Sequence, residues 1–517
     1  LKKRIEKQRY GLLENGMKKS SLLLILPLIT YLSCATSGIR EEVMGRSDSI
    51  SRDNRHVVQR IDEILKESLL KQAQVGVKAV SVASGRFVYE HQPHKLFTPA
   101  SNMKLYTTAT ALRFLRPEFR FRTEVSLDSQ SVRGVLEGNL HLKGYGDPSF
   151  DTPDLLDMAR RVKLAGIDTV QGDIIADGSY FDDWEYGEGW MYNGADSWYA
   201  AQISGLGLND NCVYIEVNPK ESLGRGVRVS PDPSTQYVSI VDSAYTVQDS
   251  LNSITVRRKW RDRENVIVVA GSLGVSCESV GFWRNVENPP LYTGTVFREM
   301  LEEVGVSVKG DVKVEKVPEN TQNLFIHLSP PLGTLVAAMN KPSNNLDVEM
   351  VLKTIGAEMY GTPGSAEKGI QAVNQLLVDA GLFPDSLRMT DGSGLSRYNQ
   401  VSPDQTVRLL IYMYRCFEVQ PEFVASLPIG GIDGTLDNRM QDSTLVRRVR
   451  AKTGTLSGAS ALSGYLSSRK GDIIAFSIMM QGYIGSSGPF RELQDRIVEI
   501  LVDYGSVKSF MKKERKK

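Results

Sequence analysis

The chain is poor in the residues that most often carry metals, disulfides and proton transfer. Its 517 residues hold four cysteines (Cys34, Cys212, Cys277, Cys416) and five histidines (His56, His91, His94, His141, His327). Neither set falls at zinc-ligand or Cys-x-x-Cys spacing, which argues against a disulfide scaffold and a Cys/His metal site. An excess of one charge is missing too, since 62 Lys and Arg stand against 61 Asp and Glu. Nucleic-acid binders show a basic excess, so that class has no support. The composition, 41% hydrophobic and 24% charged, is that of a soluble globular protein rather than a disordered or multi-span membrane chain. There is no internal repeat and no long low-complexity tract. If such a chain is a hydrolase, its base need not be histidine.

The N-terminus reads as an address. Residues 17–34 combine a charged start, the apolar run Leu22–Leu32 and a small residue before a break, as a secretory signal does. The run contains Pro27 and is too short for a permanent membrane span. Residues 1–16 are polar and unlike a signal start, so translation is expected from Met17. Leu32-Ser33-Cys34 resembles the lipobox of bacterial lipoproteins, with Tyr31 where leucine is usual. That resemblance implies lipidation of Cys34 and a membrane anchor; plain signal cleavage is the alternative. Residues 35–52 then form a tether. Either way the protein is expected to be exported, to the periplasm or cell surface.

Behind the tether, residues 53–69 carry Val57, Ile61, Ile64, Leu65 and Leu69 at helical spacing, with Asp53 as N-cap. Val75–Val82 alternates like a strand, and Arg86–Glu90 reads as its hairpin partner across Ser84-Gly85. A helix is predicted after Pro99, to about 115. Residues 118–325 are β-rich, with helical patterns only near 151–165 and 294–304. Helices return at 332–340, 344–359 and 367–380. Strands follow at 446–453, 459–467 and 472–481, and an amphipathic helix at about 488–503. This order predicts an α/β (α+β) chain in which strands from both ends share one antiparallel sheet flanked by helices. The β-rich middle is then an insertion, and the basic tail 509–517 a solvated end.

Three short motifs carry the chemistry. Ser101-Asn102-Met103-Lys104 stands at a predicted helix start, where positions i and i+3 share a face and a hydroxyl meets an amine. Serine needs a base to become a nucleophile, and lysine can serve if burial or a neighbouring cation lowers its pKa. Lys452, in Lys452-Thr453-Gly454-Thr455 on a predicted strand, offers that second cation. Ser343-Asn344-Asn345 precedes a helical run. Ser-x-x-Lys alone is weak: Ser68/Lys71, Ser365/Lys368 and Ser509/Lys512 fit it as well. The three motifs in this order are strong, because S-x-x-K, S-x-N and K-T-G together mark penicillin-binding proteins and β-lactamases.

The chain resembles the low-molecular-mass class C penicillin-binding proteins, the D-alanyl-D-alanine carboxypeptidase/endopeptidase family. Supporting segments are Gly144–Pro148, Gly172–Ile174, Leu208–Asn211, Asp391–Arg397 and Gly431–Leu436, together with the long interval from Lys104 to Ser343. The resemblance implies a split β-lactamase/transpeptidase-like domain (53–117 and 326–508) with two β-rich insertions. Domain II would be 118–212 and 283–325, and domain III 213–282. It implies that Ser101 attacks the D-Ala–D-Ala carbonyl and Lys104 accepts its proton. Ser343 would relay a proton to the leaving amine, Asn345 hold the substrate amide, and Lys452 position Ser343. Thr453, Gly454 and Thr455 would bind the terminal carboxylate, with the Ser101 and Thr455 amides as oxyanion hole. Asp177, in Ala176-Asp177-Gly178-Ser179, has two readings: it faces the cleft and reads a side-chain amine, or it is held in a capped turn. No cofactor or metal is implied. The partners are peptidoglycan peptides, β-lactams as covalent inhibitors, and the membrane through Cys34. A β-lactamase and a non-catalytic wall-binding scaffold of the same fold are the rival readings.

Overall fold

A computed structural model describes residues 55–224 and 226–505. The expected start, signal, Cys34, tether and basic tail lie outside them. A five-stranded antiparallel sheet joins both ends of the described chain. Its order is Val449–Leu456, Ala459–Ser467, Ile473–Gln481, Gln74–Ser81, Phe87–His91. The central strands are apolar on both faces because both faces are covered. Ala475 and Met479 pack into one core with Met103, Leu352 and Leu409. Ile474, Phe476 and Ile478 pack into the other with Val57, Ile61, Leu493 and Ile497. Alternate residues thus enter alternate cores, which puts apolar side chains on both faces of the strand on either side of Ser477.

Most predicted elements appear near their expected bounds, including Leu332–Asn340, Asn345–Tyr360, Ala366–Asp379 and Gly488–Val502. Two differ. The strand expected at 446–453 is Val449–Leu456. Arg447 has φ 65°, a left-handed turn no strand passes through, and Gly458 at φ 72° sets the hairpin beyond. The helix Pro403–Arg415, not anticipated, starts at a capping box in which Ser402 and Gln405 bond reciprocally.

The middle of the chain is β-rich. One five-stranded sheet orders Val312–Val314, Ile174–Asp177, Leu140–Gly144, Arg122–Leu127 and Gln322–Leu328. Two three-stranded sheets follow. Cys212–Asn218 is central in one, between Arg228–Asp232 and Val280–Asn285, and Val266–Gly274 is central in the other. Residues of all three sheets, such as Val125, Val213 and Ile267, contribute to one hydrophobic core. Among the described residues no helix is long and apolar enough to cross a membrane.

Candidate active site

Ser101 lies in a single 3-10 turn, Ala100–Asn102, that runs into the helix Met103–Phe114. Two glycines let other segments close on this turn. Gly394 has φ 86°, and a Cβ there would sit 1.8 Å from the Ala100 carbonyl oxygen. A Cβ on Gly454 would sit 2.5 Å from the Pro99 oxygen and 3.1 Å from the Ser101 nitrogen. Backbone approach this close excludes any side chain, so the strand Val449–Leu456 passes beside the Ser101 amide. Asn102 pins the same strand by donating from Nδ2 to the Lys452 carbonyl at 3.0 Å.

Lys104 is fully buried and its Nζ has three acceptors. These are Ser101 Oγ at 3.1 Å, Asn345 Oδ1 at 2.6 Å and the Ser393 carbonyl at 2.7 Å. Burial pulls its pKa from the ordinary lysine value down to about 8, against the opposing pull of the Asp391, Glu349 and Asp347 carboxyls. Desolvation, not the charge of Lys452 as expected, is thus what lowers this amine. Lys452, also fully buried, donates to Ser343 Oγ at 2.8 Å and the Thr453 carbonyl at 3.1 Å. Burial, and then the charge of Lys104, hold its amine well below the ordinary range. Two amines in one low-dielectric pocket favour states in which a proton is easily given up.

Ser343 has φ 70°, which turns the chain sharply before the helix Asn345–Tyr360. Asn344, the middle residue of its motif, caps that helix by accepting from the Asp347 amide. Asn345 faces inward from the first turn, and its Nδ2 donates to the Tyr199 carbonyl at 2.9 Å. Thr453 Oγ1 bonds Thr435 Oγ1 at 2.7 Å, which ties in the Gly431–Leu436 segment. Ser101, Ser343, Asn345 and Thr455 all line one cleft of 740 Å³. Lys104, Lys452, Thr453 and Gly454 are not among the residues that line it.

Asp177 is not brought to this cleft. Its side chain is fully buried, accepts from the Ser179 and Val317 amides at 2.7 and 2.9 Å, and lies 3.4 Å from Lys143 Nζ. The carboxylate is spent on a turn within the β-rich part. The decoy pair also separates: Ser365 Oγ caps the helix Ala366–Asp379, while Lys368 Nζ donates to the Gly361 and Pro363 carbonyls.

Sequence reasoning missed two groups. One is Glu349, a helical turn after Asn345, whose carboxylate accepts from the Gly392 and Ser393 amides at 3.0 and 2.8 Å. It works with Asp391, which accepts from the Gly394 and Ser396 amides and from Trp190 Nε1. Together they shape the loop whose Ser393 carbonyl receives Lys104. The signal available was the buried-face register i, i+4 from Asn345. The other group is the wall Met191, Asn193, Gly194, Trp198, Tyr199 and Ala200, which carried no motif.

A mixed α/β frame that buries a lysine against a serine, with a second lysine–serine pair across the same cleft, points to a serine peptidase of the penicillin-recognising kind. The model of the D-Ala-D-Ala carboxypeptidase 3 (S13) family matches residues 57–504, and the chain belongs to that family. It is 34% identical over 504 residues to a D-alanyl-D-alanine carboxypeptidase of Actinomadura sp. (strain R39), across 95% of this chain and 91% of that one. It is 27% identical to the D-alanyl-D-alanine carboxypeptidase DacB of Haemophilus influenzae, across 81% of this chain and 88% of that one. The crystal structure of penicillin binding protein 4 (dacB) from Haemophilus influenzae superposes with a TM-score of 0.76 at 25% identity. That match covers 86% of this chain and 99% of the other. A second structure of the latter, complexed with a novel beta-lactam, gives 0.70 at 24% identity, covering 86% and 100%.

Proposed function

We propose that this chain is a serine D-Ala-D-Ala carboxypeptidase and DD-endopeptidase of peptidoglycan that works through an acyl-enzyme on Ser101. The observation that carries this is the 3.1 Å contact from Lys104 Nζ to Ser101 Oγ inside a buried site. Ser101 Oγ bonds to the carbonyl carbon of the penultimate D-Ala while its proton passes to Lys104. The C–N bond to the terminal residue then breaks, and the leaving nitrogen takes a proton through Ser343, which Lys452 holds. Water hydrolyses the ester and frees Ser101. The Ser101 and Thr455 amides stabilise the oxyanion, and Thr453, Gly454 and Thr455 receive the terminal carboxylate. A β-lactam acylates the same oxygen by opening its ring.

The division into a split catalytic domain with two inserted domains belongs to the same reading. So do export and an anchor at Cys34, which Cys34→Ser tests by release from the membrane fraction. The decisive experiment labels wild type and Ser101→Ala with a fluorescent penicillin. Digestion of pentapeptides and of cross-linked muropeptides, read by mass spectrometry, accompanies it. Ser101-dependent label with release of D-Ala is expected; absence of both removes the proposal. Cleavage of monomers with intact cross-links would remove the endopeptidase half.

A further inference from the structure

The wall 191–200 holds no regular structure beyond two short 3-10 turns, Tyr192–Gly194 and Trp198–Ala200. Within it the Met191, Tyr192, Gly194 and Ser197 carbonyls accept from amides three residues on, and buried carbonyls need partners. The β-rich part supplies further donors to the wall carbonyls. Asn285, at the end of the strand Val280–Asn285 and fully buried, points Nδ2 at three of them. These are Ala195 O at 2.9 Å and Ser197 O and Ala200 O at 3.2 Å each. Its Oδ1 accepts from Arg258 Nε at 3.1 Å, and Arg258 is fixed in turn by Glu287. A guanidinium only donates, so this contact forces the amide's donor end toward the wall. Three further ties come from the same side. Ser197 forms an isolated β-bridge with Arg284, the Tyr192 ring meets Trp260 edge-on at 4.2 Å, and Arg257 Nη1 donates to the buried Asp196 carboxylate at 3.4 Å. On the far side the wall meets the site once, where Tyr199 O accepts from Asn345.

We propose that Asn285 is a positioning residue for peptide substrates: it locks the 191–200 wall in the arrangement that accepts a stem peptide. The inserted strands thus select the substrate without touching it, since Asn285 is buried behind the wall. The proposal rests on the peptidase reading above. The wall contributes Met191, Trp198 and Tyr199 to the cleft, surfaces that a peptide extending beyond the scissile bond covers and a small β-lactam does not. Lys104 is held by Ser101, Asn345 and Ser393, and among these only Asn345 bonds to the wall, through the Tyr199 carbonyl.

The test compares the full chain with Asn285→Ala, Asn285→Asp and Trp260→Ala. Asn285→Asp keeps the shape and the acceptor for Arg258 but turns an acceptor toward the three carbonyls. Release of D-Ala from a stem pentapeptide gives kcat and KM, and penicillin acylation gives a second rate. Both Asn285 variants should raise KM about tenfold or more, with kcat and penicillin acylation within about threefold. Trp260→Ala should raise KM about threefold by loosening the second tie. Unchanged KM in both Asn285 variants overturns the proposal, as does a parallel fall of peptide and penicillin rates. If the Asn285 variants do not fold, an unchanged KM in Trp260→Ala overturns it. A wild type without Ser101-dependent label fails at the earlier reading, which is a separate result.

Discussion

Lys104 makes the sharpest test of the site, because its proton affinity reports the whole pocket. With a pKa near 8, about 9% of the amine is neutral at pH 7, against roughly 0.03% for an ordinary lysine. Burial therefore raises the working base about 300-fold at neutral pH, equivalent to about 3 kcal/mol. The rate of penicillin acylation should climb tenfold per pH unit from pH 6 and level off near 8. The groups facing the amine are Ser101, Asn345 and the Ser393 carbonyl by hydrogen bond. The Asp391, Glu349 and Asp347 carboxyls act by charge, and Lys452 lies across the site.

Glu349→Gln tests the balance. Glu349 is itself pushed up to about 7, by burial first and then by Asp391, so its charge is in place above that pH. Its negative charge favours the protonated amine. Removing it must lower the Lys104 value and move the rising limb to lower pH, by about half a unit or more. The plateau should fall at the same time, because glutamine offers one acceptor where two amides, Gly392 and Ser393, now bond a carboxylate. Stopped-flow acylation from pH 5.5 to 10 reads both effects. A wild-type limb in the ordinary lysine range, or an unmoved limb in Glu349→Gln, would refute the reasoning.

Three further outcomes follow from particular contacts. Asp177→Asn should cost about 1–3 kcal/mol in a denaturant melt, since it leaves a buried amide or Lys143 poorly paired, yet change kcat/KM for D-Ala release less than twofold. A selective rise in KM would return Asp177 to the cleft. Gly394→Ala places a methyl 1.8 Å from the Ala100 oxygen at φ 86°; penicillin labelling should drop by about 100-fold or the chain should fail to fold. Lys368→Ala should leave labelling and D-Ala release unchanged, because its amine turns to Gly361 and Pro363 rather than to Ser365.

What the sequence disclosed and what it hid divide along one physical line. Ser101 and Lys104 are legible because a helical turn fixes i and i+3 on one face, and Lys452 because a strand carries its motif. Chain-local geometry is enough in both cases. The strand Ile473–Gln481 is legible as well, from the apolar residues on either side of Ser477. The Pro403–Arg415 helix carries a local signal too, the capping box Ser402-Pro403-Asp404-Gln405. Glu349 is different. Its i, i+4 register from Asn345 places it on the buried face, but nothing local tells that its carboxylate serves two amides 43 and 44 residues away. The wall 191–200 is harder still, since its shape is imposed from outside by Asn285. For Asp177 the structure decides between the two sequence readings, since two backbone amides occupy the carboxylate in a turn. The motif residues perform the chemistry, while long-range carboxylate and amide contacts tune the pocket in which that chemistry is fast. A variant that spares all three motifs and cuts one such contact is therefore the most informative kind. It separates the acylating core, which a β-lactam probes, from the peptide-selecting cleft around it.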